Sequence, residues 1–186
     1  MIQLRALWKM PLAMPVAASE LASRRCVRGR RPLLYFLGRS NPMAKKIVKV
    51  EGVQGSSFKM ELTAGNHTVV IDQPKPMGGT DAGPNPLQYG LFALIGCIGA
   101  IGRIIANQRK MEIRGFKISC EAELNTDKLL GQSDAERAGY KWVKVVTEID
   151  ADMTKEEKAA FVAEIDERCP ISDVFLNGTE VRFETV

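Results

Sequence analysis

Few side chains in this sequence can do chemistry unaided. Its 186 residues contain four cysteines, Cys26, Cys97, Cys120 and Cys169, and a single histidine, His67. No two cysteines form a C-x-x-C pair, and their spacing makes no disulfide framework. A zinc site would need almost every soft ligand in the chain, so no metal is expected. Sparse, widely spaced thiols read as a reducing compartment, taken here as the cytoplasm, with thiols that are buried or reactive. His67 has no partner motif and reads as a surface or capping residue at the start of a strand. What remains is sulfur chemistry.

Two of the thiols have unusual surroundings. Cys97 lies in the middle of the most apolar run, where burial raises a thiol pKa and makes the group inert unless something offsets it. Cys169 ends one amphipathic run and precedes Pro170, a residue that breaks a helix interior but starts a new helix well. A thiolate at Cys169 would therefore meet the free N–H groups and positive end of a helix. Arg168 adjoins it, although consecutive residues on a helix point apart. Cys120 falls on the apolar face of an alternating stretch and reads as a small packing residue.

The elements that position these thiols follow from periodicity. Alternation over Ile47 to Val53, Phe58 to Thr63 and His67 to Asp72 predicts antiparallel strands, the last two joined by an Ala64-Gly65-Asn66 turn. A Gly/Pro-rich loop from Pro74 to Pro86 follows. It lacks the Gly-Lys-Ser/Thr ending of a phosphate-binding loop, so nucleotide binding there is rejected. Asn85 as N-cap and Pro86 at the first helical position open a helix that runs to about Asn107. Phe116 to Leu124 and Trp142 to Ile149 alternate as two further strands, with a polar loop over Asn125 to Lys141 between them. Thr154-Lys155-Glu156-Glu157 is a capping box for a helix with Phe161, Val162, Ile165 and Cys169 on one face. A short helix from Pro170 to Leu176, ended by Gly178, and a strand through Val181, Phe183 and Thr185 complete the pattern.

Charge divides the chain in two. Residues 1–42 carry eight basic side chains and one acid, for +7, and residues 43–186 carry −3, so the overall +4 misrepresents both. A mildly acidic domain repels phosphate, and no nucleic-acid partner is expected. We read residues 1–42 as a basic, disordered extension that takes no part in the chemistry, and residues 43–186 as the folded domain. The extension fits a stretch ahead of a second start at Met43, a targeting presequence, or a basic arm. The uncharged run from Leu87 to Gly102 is near the lower limit for a membrane span. Its glycines and strand-rich flanks instead predict the central helix of a core or dimer contact, with no membrane association.

Taken together, Gly83-Pro84-Asn85-Pro86-Leu87-Gln88-Tyr89 leading into Ala93-Leu94-Ile95-Gly96-Cys97, and the distant Arg168-Cys169-Pro170-Ile171-Ser172 with Asn177-Gly178, resemble the OsmC/Ohr family across essentially all of residues 43–186. The resemblance implies an α+β fold in which two central buried helices are wrapped by antiparallel sheets in an intertwined homodimer. It also implies a thiol-dependent reductase of organic hydroperoxides that defends against oxidative stress. Cys97 would be peroxidatic and Cys169 resolving, with no bound cofactor and with an external dithiol such as a lipoyl group as reductant. The family's peroxidases hold the thiolate with an arginine from the early strands, and a glutamate just after Asn-Pro partners that arginine. This sequence has no arginine between Met43 and Ile101, and Leu87 and Gln88 stand where the glutamate is expected. A dimer that senses redox state or binds apolar ligands, with weakened catalysis, is the alternative.

Overall fold

A computed structural model describes residues 45–185, and the expectation for residues 1–42 lies outside them. The chain builds two antiparallel sheets and three helices: β1 Glu51–Gln54, β2 Met60–Ala64, β3 His67–Ile71, α1 Pro86–Arg109, β4 Gly115–Glu123, β5 Trp142–Asp150, α2 Lys155–Arg168 and α3 Pro170–Asn177. The architecture is α+β, as predicted, and Ile47–Val186 form one compact unit. A three-stranded sheet has the order β1-β2-β3, and a two-stranded sheet pairs β4 with β5.

The first strand is shorter than its alternation suggests. Pairing places Glu51 opposite Thr63 and Gln54 opposite Met60. Residues 47–50 therefore run past the end of β2, where the chain is already turning through Gly65. Ile47, Val48 and Val50 are exposed there. At the other end, the expected strand through Val181 and Phe183 does not form. Alternation gives a segment its two faces, but a ladder also needs a partner edge. Among the described residues none is paired with it, and Phe183 is 92 % exposed.

The core sits between the β4–β5 sheet and the helices. The two strands face each other in register, with Phe116 opposite Ile149, Cys120 opposite Val145 and Ala122 opposite Val143. This turns the apolar set of both strands to one side, against α1 and α2. Leu94, Ile98, Ile105 and Ala106 of α1 meet Phe161 and Ile165 of α2 and Ile149 of β5. Phe116 and Phe161 stack with ring centroids 6.0 Å apart. Gly102 permits the close approach: a Cβ there would lie 2.9 Å from Phe116 and 3.0 Å from Ile165.

The helix starts form as their sequences direct. Asn85 and Gln88 make a reciprocal capping box at α1, with Pro86 in the first turn, and Thr154 and Glu157 do the same at α2. Cys169 is both the C-terminal cap of α2 and the N-cap of α3. It lies at the predicted break, because Pro170 has no N–H to continue the α2 ladder.

The sequence predicts α1 as the central helix of a core or of a dimer contact. Its apolar composition and 24-residue length would suffice to cross a membrane. In the protomer, however, it buries one face against the sheet and α2 and leaves Phe92 and Ile104 exposed.

Candidate functional site

The two thiols singled out above come together where α1 passes the junction of α2 and α3. Cys97, half-buried in the middle of α1, packs against the core cluster that contains Cys169, and the two thiols are near enough to affect each other's ionisation. The backbone N–H of Ile171, in the first turn of α3, favours the Cys97 thiolate. Cys169 is 1 % exposed. Its Sγ accepts the backbone N–H of Ser172 at 3.4 Å, the bond that caps α3. One helix start thus supplies a donor to each sulfur.

Burial pushes the Cys97 thiol up from its ordinary value, and the neighbouring Cys169 sulfur adds to this through a hydrogen bond and its charge. The Ile171 N–H acts in the opposite sense. No cationic side chain among the described residues bears on Cys97. Arg168, adjacent to Cys169 in sequence, turns away to Glu164 at 3.2 Å and Gln108 at 3.0 Å, tying α2 to α1. Lys59 pairs with Glu61 on the outer sheet at 3.1 Å. Gln88 is used up in capping, its Oε1 accepting the Asn85 N–H at 2.9 Å. The carbonyl of Leu87 accepts the Tyr140 hydroxyl at 2.7 Å.

Cys120 lies on the inner face of β4 and packs against the core, as its alternation suggested. Burial and then the charge of Glu121 push its thiol up. His67 opens β3 at the surface, away from the thiols. No cluster of three metal-ligating side chains occurs among the described residues.

Three residues matter to the site that sequence reasoning did not find. Ser172 is buried, and its hydroxyl donates a short hydrogen bond to Asp166 Oδ1. Together with Cys169 N–H to Asp166 C=O at 3.2 Å, this bond closes a ring around the α2–α3 break and fixes where the Cys169 sulfur points. Only the Asp-x-x-Cys-Pro-x-Ser spacing hints at it. Asp72, 1 % exposed, organises the loop that leads into α1. Its carboxylate accepts Gln73 N–H at 2.8 Å, Thr80 N–H at 2.9 Å, Thr80 hydroxyl at 2.6 Å and Ala82 N–H at 3.1 Å. These bonds, the Thr80 hydroxyl first, hold its pKa well below the usual carboxylate range. The third is Tyr140, which stacks on Phe175 of α3 at 6.1 Å and so links the first turn of α1 to α3. It lies in a stretch read only as polar loop.

Chemically, the site brings a half-buried and a buried thiol to the start of α3, beside its backbone donors.

Comparison with known proteins agrees with the folded elements. Residues 79–184 match the family model described as OsmC-like protein, a span that holds both thiols. An OsmC-like protein from Mycoplasma pneumoniae shares 18% identity and superposes with a TM-score of 0.63, covering 72% of this chain and 90% of its own. A protein from Legionella pneumophila, named an organic hydroperoxide resistance protein OsmC, gives 21% identity and a TM-score of 0.54, covering 73% and 93%. An organic hydroperoxide resistance protein from Elizabethkingia anophelis gives 16% and 0.56, covering 73% and 92%. No curated protein matches the sequence. At these identities the structures speak for the fold alone, while the family model spans more than half of the chain, including the loop before α1 and both cysteine-bearing segments. The chain belongs to the OsmC-like family.

Proposed function

We propose that this protein is a thiol-dependent reductase of organic hydroperoxides, acting as a homodimer in a reducing compartment, with Cys97 peroxidatic and Cys169 resolving. The single observation behind this reading is the closeness of the two thiols at the start of α3. In the first step the Cys97 thiolate attacks the distal peroxide oxygen. An S–O bond forms and the O–O bond breaks, leaving a sulfenic acid at Cys97 and an alcohol once a proton is taken up. The Cys169 sulfur then attacks the Cys97 sulfur, a disulfide forms, and water leaves. An external dithiol returns both cysteines to thiols and is itself oxidised to a disulfide.

Support also comes from relatives that are named organic hydroperoxide resistance proteins and share the fold. The family's arginine has no counterpart here, so the helix start is the device that would hold charge at the thiols. The Ile171 and Ser172 N–H groups face sulfur, and the positive end of α3 lies behind them.

Turnover of tert-butyl hydroperoxide with a dihydrolipoyl reductant tests the proposal. Wild type should consume peroxide, Cys97→Ser should not, and Cys169→Ser should stop at a sulfenic acid that dimedone traps. Oxidation no faster than a free thiol, and unchanged by Cys97→Ser, overturns it.

A further inference from the structure

We propose that the groove between β5 and α3 binds an amphipathic anion, a medium-chain carboxylate, with its hydrocarbon chain in the core-side pocket and its head on Arg137. Neither Cys97 nor Cys169 lines the groove, although Asp166 and Ser172, which orient Cys169, border its inner end, and binding there does not require the thiol chemistry.

Two cavities of about 450 Å³ each lie side by side here. Val143, Phe175 and Leu176 line both, so the two cavities adjoin along these side chains. Each is within the size of small-molecule sites, roughly 300–1,000 Å³. The inner cavity, roofed by α1 and α2, is lined mostly by apolar side chains, such as Leu94, Ile98 and Val162, with Thr147, Asp166 and Ser172 as its polar members. It suits a chain of methylene groups, which gain free energy on leaving water.

The charges at the two ends are opposite. The one ionisable side chain lining the inner cavity is Asp166, a carboxylate already engaged by the Ser172 hydroxyl. The outer cavity is lined by Arg137 and Lys141 and by no acid. An anionic head is therefore repelled from the inner end and attracted to the outer one, which sets the direction of the ligand.

Most donors at the outer rim are taken. Lys141 pairs with Glu136 at 3.0 Å. The Tyr140 hydroxyl is committed to the Leu87 carbonyl and the Trp142 Nε1–H to Glu123 at 2.9 Å. Arg137 has no carboxylate partner within 4.0 Å among the described residues and lies folded over Gly139. A guanidinium presents a planar fork that a carboxylate fills with two parallel hydrogen bonds. One free fork fits a monoanion, and the apolar lining behind it excludes a nucleotide or sugar phosphate.

The experiment uses the full chain and its two tryptophans, Trp8 and Trp142, of which Trp142 lines the outer cavity. Decanoate, decanol and decylammonium are titrated below their micellar concentrations, following tryptophan emission and, in parallel, heat. Decanoate should bind saturably and at least about tenfold more tightly than decanol, with decylammonium weakest. Arg137→Gln should erase the advantage of decanoate while leaving decanol unchanged. Ala163→Phe, which fills the inner cavity, should weaken both. The same results are expected with Cys97→Ser, so failure of the peroxidase reading would leave this one intact. Equal binding of decanoate and decanol to the wild type, an unchanged decanoate affinity in Arg137→Gln, or no saturable decanoate binding each overturns the proposal.

Discussion

At Cys97 burial and two effects of the Cys169 sulfur raise the thiol and one backbone donor lowers it, and their order decides how the residue behaves. Burial comes first, the Ile171 N–H opposes it, and the Cys169 sulfur adds smaller upward pushes through a hydrogen bond and its charge. The thiol therefore carries its proton at neutral pH, and its reactivity should climb with pH. Alkylation by iodoacetamide, followed at the Cys97 peptide by mass spectrometry, should reach half its plateau rate above the ordinary thiol value of about 8.5. Cys169→Ala removes both influences of the second sulfur but leaves the burial, so the midpoint should fall without dropping below that ordinary range. A wild-type midpoint at or below neutrality would contradict this account. Both thiols were legible in the sequence, Cys97 from its place in an apolar run and Cys169 from the proline that follows it. Their closeness was implied only by the family resemblance and by no local rule, because it depends on how α1 crosses the α2–α3 break, 72 residues away in the chain. Nor was the Ser172–Asp166 bond that aims Cys169, since serine and aspartate recur everywhere and only the kink brings this pair together.

The element that sets α1 in place is the loop before it, and Asp72 is its anchor. Four donors converge on one carboxylate and hold its pKa below the usual range, which fixes the sign of its pH dependence. A depressed carboxylate contributes stability that is present above its unfolded value of about 3.9 and fades as pH falls below it. Asp72→Asn should lower the melting temperature at pH 7, because an amide cannot accept all four bonds. The gap to wild type should narrow as pH is taken from 6 towards 3, since the wild type loses the advantage the variant never had. A gap independent of pH would show that the charge is not what matters. Most elements could be read from local rules: Asn85 with Gln88, and Thr154 with Glu157, announce their helices. The errors occur where a rule has a non-local term. Alternation over residues 47–50 and 181–185 has the period of a strand, yet β2 ends too soon for the first segment and no edge is paired with the second. Asp72 sits in a loop whose glycines and prolines predicted a turn but not which side chain would hold it, because its partners lie eight and ten residues on.

At the scale of the whole molecule, the apolar surface of the protomer bears on the proposed homodimer. Phe92, Gly96 and Ala100 follow one another at i, i+4 spacing along α1 and fall on the side away from the core residues Leu94, Ile98 and Ile105. Phe92 is 51 % exposed, and a Cβ added at Gly96 would meet nothing within 4 Å. A water-facing helix has no use for glycine, which costs about 1 kcal/mol relative to alanine. In a helix packed against a second copy, the same glycine lets the backbones approach. Val53, Phe58 and Val69 on or beside the three-stranded sheet add further exposed apolar surface. A second copy covering the α1 face and this sheet would bury it as a continuous interface. The two possibilities give opposite signs for one substitution. Gly96→Ala should stabilise an isolated protomer through helix propensity, but should destabilise a dimer by forcing the helices apart. We expect the wild type to elute at twice the protomer mass by light scattering, and Gly96→Ala to have a lower melting temperature. Phe92→Glu should weaken association by at least about 100-fold, in line with losing a central aromatic anchor worth roughly 2–4 kcal/mol. A monomeric wild type that Gly96→Ala stabilises would rule out the dimer and leave α1 as a helix with one bare face.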